Sequence, residues 1–306
     1  MKLAPIALFA YNRPTHLLRS IAALATNEEA SRCDLTIFCD GPRDGQTEAV
    51  AATRAVAQSA SGFASINVVE RPVNLGLAAS VSSGVTAILE RHESVLVFED
   101  DILASPHCLN YVNRALEHYQ DDSRVASIGC YVFPVEPPLR RTFFLRVTDC
   151  FGWATWRDRW ASYSPDAARL ADEIDRRGLG RSFDLEGRYP YMRMLRDCAA
   201  SRNSSWAVRW YASQFLQGRV CLYPGPTMTV NIGMDGSGVH SGTTDAYNNV
   251  LAAEPAGEFP EDVREDAVAL EETAEFLATL LSENARLGVR IRKRLRGFYR
   301  KVFANA

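Results

Sequence analysis

Three consecutive acids, Glu99, Asp100 and Asp101, follow the apolar run in SVLVFEDDI. Carboxylates crowded at the end of a strand repel one another, and a cation relieves that repulsion. Oxygen ligands of this kind favour Mg2+ or Mn2+, ions that also hold substrate phosphates. A helix cap, worth about 1 kcal/mol, would need only one of the three acids. Asp101 is therefore the expected metal ligand. His240 is a second candidate. It lies in the glycine-rich stretch NIGMDGSGVHSGTT with Asp235 nearby, and neutral imidazole can ligate Mn2+.

Several turns carry further polar candidates. In RPVNLGLAASV, Asn74 and Gly76 open a helical stretch, and a helix N-terminus attracts anions while glycine admits close backbone approach. Taken alone, this is also an ordinary turn. Asp40 in CDGPRDG and Arg13 in YNRP read equally well as a turn aspartate and a solvated arginine. What unites them is position. APIALFAY, LTIFCD, INVVE and SVLVFEDD read as strands, and helical stretches follow at Pro14 to Ala25, Thr47 to Ser59, Leu77 to Glu90 and Pro106 to Tyr119. Alternation of near-continuous apolar strands with helices predicts an α/β fold with a doubly wound, mostly parallel sheet. Right-handed crossovers place the strand C-terminal ends, and all these turns, along one edge, where such sheets bind ligands.

The rest of the chain sets broader bounds. It has 306 residues, 47% hydrophobic and 23% charged, as expected of a globular protein with a sizeable core. The net charge of -3 gives no reason to expect nucleic acid as a partner. Seven cysteines, without a CxxC pair and mostly inside apolar runs, predict reduced thiols and a cytoplasmic location. The N-terminal MKLAPIALFAYNRP reads as a first strand rather than a signal peptide, and no segment is long and apolar enough to span a bilayer. The expected organisation is one domain over residues 1–253, divided near 130/131, followed by a linker and C-terminal helices over 254–306. Eight of the 34 basic residues fall between Arg286 and Lys301 with no acid among them, which leaves 26 against 37 acids elsewhere. Leu287, Ile291, Leu295, Phe298 and Val302 form one helical stripe in that tail. Basic amphipathic helices bind anionic membrane surfaces, so a peripheral attachment to the inner face of a membrane is expected; a helix packed on the domain would look the same in sequence.

Together YNRP after the first strand, CDG at the second strand end, RPVNLG before a helix and FEDDI resemble glycosyltransferases of the A-type (GT-A, Rossmann-like) fold, in particular the N-acetylglucosaminyltransferase I family and its bacterial relatives. VTDCFGWATWRDRW resembles that family's acceptor-side segment, and DGSGVHSG its donor-closing loop. The resemblance spans about residues 3–163 and 204–245. It implies transfer of a sugar, such as an N-acetylhexosamine, from a nucleotide-sugar donor, preferably UDP-linked, to a saccharide or lipid-linked saccharide hydroxyl in polysaccharide biosynthesis, with inversion. It also implies roles. Arg13 would approach the pyrophosphate, Asp40 the nucleobase, and Arg71 and Asn74 the nucleotide-sugar cleft. Asp101 would hold the metal, with Glu99 and Asp100 on the sugar and ribose side. Asp149, Gly152 and Trp153 would face sugar or acceptor, Trp153 as a stacking platform. The family's general base, an acid beside a tryptophan at a helix start, has no counterpart in NSSWAVRW. Asp197, and after it Asp184, are the remaining candidates, although either also reads as a solvated helix charge. A sugar-1-phosphate nucleotidyltransferase would need a glycine-rich loop after the first strand, where AYNRPTHLL has no glycine. A non-catalytic nucleotide-sugar binding protein would not need the intact acids.

Overall fold

The computed structural model describes residues 3–148, 150–237 and 244–282. The N-terminal part alternates as its hydrophobic periods dictate: β1 (Ile6–Ala10), α1 (Pro14–Ala25), β2 (Asp34–Cys39), α2 (Thr47–Gln58), β3 (Ser65–Glu70), α3 (Leu77–Leu89) and β4 (Ser94–Glu99). Proline at the first position of α1 supplies a pre-set φ where no amide partner is needed, and Leu17, Ile21 and Leu24 form its buried stripe. Full burial of a leucine such as Leu17 or Leu24 contributes roughly 2 kcal/mol each. β5 (Ile102–Ala104) and α4 (Cys108–His118) follow the acids.

Strand order in the main sheet is β3-β2-β1-β4-β8-β6-β9-β7, where β6 is Val125–Gly129, β7 Phe143–Leu145, β8 Trp153–Trp156 and β9 Val220–Tyr223. β1 to β4 run parallel, and β6 and β9 continue in that direction, while β8 and β7 run against it. The expected doubly wound, mostly parallel sheet is therefore present, with two strands reversed. Alternate residues of each strand feed opposite layers. Ile6, Leu8 and Ala10 of β1 pack with α1, α2 and α4. Ala7 and Phe9 face α3 and a group of tryptophans from β8, α5 (Arg157–Trp160) and α9 (Trp206–Phe215).

A second layer of helices, α6 (Ala167–Arg176), α7 (Gly180–Phe183) and α8 (Tyr191–Ala199), packs on α9 around Ile174, Phe183 and Leu195. The segment after 253, expected as a linker, is a strap. Ala252, Ala256 and Val263 enter the core beneath α4, and the Tyr119 hydroxyl donates to the Pro260 carbonyl at 2.7 Å. A helix over residues 267–282 then buries Ala274 and Leu277 against the helical layer, capped by Asp266, which accepts from the Val268 and Ala269 amides. Among the described residues no helix is long and apolar enough to cross a membrane. All seven cysteines are free thiols. The basic stripe lies outside the described residues.

Candidate active site at the crevice between β1 and β4

The connections leave β1 and β4 toward opposite sides, so a crevice opens between their C-terminal ends. A cavity of about 250 Å³ occupies it. Its floor is Phe9 and Ala10, and its walls come from the turns after β1, β2 and β4, the start of α3, and the stretch after β10 (Thr229–Asn231). β10 pairs antiparallel with β5, Asn231 opposite Ile102, which draws Asn231, Met234 and Ser237 over the acids.

The acids are held by one cation. The Arg13 guanidinium donates to both Asp100 and Asp101, at 2.9 Å to Asp101 Oδ2. Asp100 and Asp101 are 3% and 8% exposed. The Ser20 hydroxyl lies between the carbonyls of residues 100 and 102, fixing the backbone of the run. Asp101 Oδ1 is buried without a hydrogen-bond partner among the described residues. Glu99 is half-buried and accepts from Trp206 Nε1 at 3.3 Å. Burial, then Asp101 and Asp100, push Glu99 up to about 8. Burial also pushes Asp100 up to about 6 against the pull of Arg13. Among the described residues one guanidinium, Arg13, thus acts on three acidic side chains, and a divalent cation would restore the balance.

Gly233 is the backbone wall beside Asp101. A Cβ there would lie 2.1 Å from Asp101 Oδ2 and 2.8 Å from Arg13 Nη1, so any larger residue must displace one or both of these side chains. Its amide donates to Asn231 Oδ1 at 2.7 Å, and the Ile232 amide to the Asp101 carbonyl at 2.8 Å. Among the described residues, no group of three or more His, Cys, Asp and Glu side chains forms a closed metal cage. That is compatible with Mg2+ or Mn2+, which is held by one or two carboxylates together with substrate phosphates and water. The buried, partnerless oxygen of Asp101 fits such an ion.

On the other wall, Asp40 accepts from the amides of Gly41, Leu75 and Gly76, each at 2.9 Å. It thereby locks the turn before α3 to the end of β2. The Asn74 side chain donates to the Gly41 carbonyl and accepts from Arg43 Nε, both at 2.9 Å. Arg43 lies 6.0 Å from the centroid of the Tyr11 ring, and its amide bonds the Tyr11 hydroxyl.

The crevice therefore gathers Arg13, Asp40, Asn74, Glu99, Asp100 and Asp101. Other expected residues are placed elsewhere. Arg71 is not among the lining residues; it donates to the Ser80 carbonyl and lies over Phe38. Trp153 is 1% exposed, its ring surrounded by Trp160, Trp206 and Trp210, so no sugar can stack on it. Gly152, at φ +91°, turns the chain into β8 in contact with Phe98 and Thr229 and serves packing. Neither candidate base reaches the crevice. Asp197 on α8 is paired with Arg202, and Asp184 accepts from the Met192 amide at 2.6 Å at the start of α8. Asp149 and His240 lie outside the described residues. Sequence reasoning passed over Tyr11, Arg43, Asn231 and Trp206. The first two sit inside the quoted YNRP and CDGPRDG turns, Asn231 opens the quoted NIGMDGSGVHSGTT, and Trp206 is the first tryptophan of the quoted NSSWAVRW.

No family model matches this chain, and no curated protein does. Among solved structures it is similar to the mannosyltransferase PcManGT from Pyrobaculum calidifontis, determined in complex with GDP-Man and Mn2+, at 12% identity and a TM-score of 0.39 over 71% of this chain and 69% of that one. It is also similar to S. aureus TarS, at 12% identity and a TM-score of 0.31, over 45% of this chain and 24% of that chain.

Proposed function

We propose that this chain is a glycosyltransferase that takes a nucleotide-sugar donor into the crevice between β1 and β4, with Mn2+ or Mg2+ on Asp101. The observation that carries the reading is Asp101 Oδ1, buried and without a hydrogen-bond partner among the described residues, at a strand end where Asp100 and Asp101 share one arginine and Glu99 lies beside them. The motif resemblance supports the same activity and favours a UDP-linked donor and inversion.

Bound there, the ion would offset negative charge on the diphosphate leaving group. The protein's own groups have separable tasks. Arg13 orients Asp100 and Asp101 and adds positive charge beside the phosphates. The N-terminus of α3 from Leu77 on offers backbone amides to an anion, beside the Gly76 amide that Asp40 already takes. Asp40 and Asn74 fix that N-terminus relative to β2. Tyr11 and Arg43 supply a flat, cationic wall suited to a nucleobase. Trp206 holds Glu99 toward the sugar side. Asp184 and Asp197 are occupied elsewhere and are not assigned the acceptor's proton. The basic tail would bring the enzyme to an anionic membrane surface carrying a lipid-linked acceptor.

The decisive measurement is nucleoside diphosphate release from a set of UDP- and GDP-sugars, with and without Mn2+. Wild-type protein should release diphosphate only with the ion. Asp101→Asn should fold and lose at least about 100-fold in turnover, the order of effect for one group that stabilises charge in a dry site. Equal turnover of the variant at saturating donor and metal would remove the reading.

A further inference from the structure

Beside the crevice, on the side of β6 and the helical layer, partly buried aromatic rings form a continuous surface that no step above uses. Phe133, Phe276, Tyr247 and Phe151 touch in a row: centroids are 5.4 Å apart for Phe133 and Phe276, 6.3 Å for Tyr247 and Phe276, and 6.2 Å for Phe151 and Tyr247. Tyr189 and Tyr191, at the start of α8, stand 4.7 Å apart. The Cys150 thiol and the hydroxyls of Tyr189, Tyr191 and Tyr247 converge closely enough to act electrostatically on one another. None of these three hydroxyls is hydrogen-bonded to another described residue. Their electrostatic neighbours among the described residues are one another, Tyr211 and Cys150, all uncharged at neutral pH.

The surface is joined to the crevice. The Thr229 hydroxyl donates to the Phe151 carbonyl, and Thr229 opens the strand that ends at the crevice-lining Asn231. The neighbouring Gly152 packs on Phe98, which precedes Glu99. Such a surface is amphipathic in a specific way: flat apolar faces, several hydroxyls that both donate and accept, and, among the described residues, no charged group acting on those hydroxyls. Among the described residues those hydroxyls give an anion or cation no counter-charge, and an alkyl chain leaves them unpaired. A neutral pyranose has apolar C–H faces and a rim of hydroxyls, and matches both.

We propose that Tyr189, Tyr191 and Tyr247, with Phe151, form the acceptor subsite and bind a neutral sugar ring by stacking on the rings and hydrogen bonding to the phenols. The proposal rests on the glycosyltransferase reading and adds the acceptor's chemical class and its location. It assigns the helix over residues 267–282 a share in the site, because Phe276 backs Tyr247 and Phe133.

The test is saturation-transfer NMR on the full chain with cellobiose, lactose, chitobiose and mannobiose, without nucleotide and then with UDP or GDP and Mg2+. At least one disaccharide should receive saturation from wild-type protein. The double variant Tyr189→Phe/Tyr247→Phe keeps the rings and deletes two hydroxyls; it should bind that sugar about tenfold more weakly, as expected for two neutral hydrogen bonds. Thermal melting of the variant alongside wild type controls for folding, and the single Phe substitutions repeat the comparison if the double variant melts early. Absence of saturation transfer from all four sugars, or equal binding by wild type and variants, overturns the proposal. Failure of UDP and GDP to bind wild-type protein with Mg2+ overturns the donor reading instead, and the nucleotide-free sugar data still decide the subsite.

Discussion

Adding one methyl group at Gly233 should disable the crevice without replacing a charged residue. A Cβ at this position would sit 2.1 Å from Asp101 Oδ2, whereas real Cβ contacts stay beyond 3.0 Å, so the carboxylate must retreat by about 0.9 Å. It has little room to do so. Asp101 is 8% exposed, its Oδ2 is tied to Arg13 at 2.9 Å, and Arg13 Nη1 itself lies 2.8 Å from the same Cβ. The displacement breaks the Arg13 contact and moves the proposed metal ligand. Misplacement by about 1 Å in a positioned site costs on the order of 100-fold in rate. Overpacking of this kind costs about 1–3 kcal/mol in stability, against the few tenths to 1 kcal/mol that alanine gains over glycine in the unfolded chain. Gly233→Ala should therefore melt a few degrees early and lose Mn2+-dependent donor turnover. Denaturant melts in two backgrounds isolate the cause. With Asp101→Ala also present the severe 2.1 Å overlap is gone and only the 2.8 Å approach to Arg13 Nη1 is left, so the stability cost of Gly233→Ala should shrink by most of its value. The same cost in both backgrounds would refute the steric argument, whatever happens to activity.

Burial, with Asp101 and Asp100 beside it, pushes Glu99 up to about 8 from its ordinary 4.5. Between those values the folded state holds a proton that the unfolded state has lost, so stability falls as pH rises from about 5 to about 8. Urea melts at the two ends of that range should show a smaller fall for Glu99→Gln, and an identical fall in both proteins would contradict the burial argument. Deleting residues from Gly288 onward should leave donor hydrolysis intact while abolishing co-sedimentation with anionic vesicles, and salt should release the full chain from them. Full-length protein that ignores anionic vesicles at low salt would end the membrane proposal.

Much of the catalytic half is written locally. Each of the first four strands is a short apolar run, each following helix carries a 3.6-residue stripe, and the polar turns between them fix where the edge lies. The first helix was legible to the residue, because Pro14 marks its start and Leu17, Ile21 and Leu24 its buried face. The clustering of Arg13, Asp40, Asn74 and the acids follows from that alternation alone, since parallel crossovers bring successive strand ends together.

The remainder was decided by pairing between distant segments, which periodicity does not encode. Apolar spacing records that a segment is buried, not which strand lies beside it. β8 could not be placed antiparallel between β4 and β6, with Ser94 opposite Trp156, from its own four residues. Burial of Trp153 follows from that placement, which turns its ring toward Trp206 and Trp210 rather than toward a sugar. Asp184 and Asp197 looked free because the Met192 amide and Arg202 that claim them are set by helix geometry. The contact between Gly233 and Asp101 spans more than half the domain in sequence. It exists because β10 pairs with β5, a pair of three-residue strands too short for any local signal. Sequence thus specified which chemistry is gathered at the strand ends. Tertiary packing decided which of those groups is left with an unmet valence, because that depends on what every neighbour, near or far along the chain, has already satisfied.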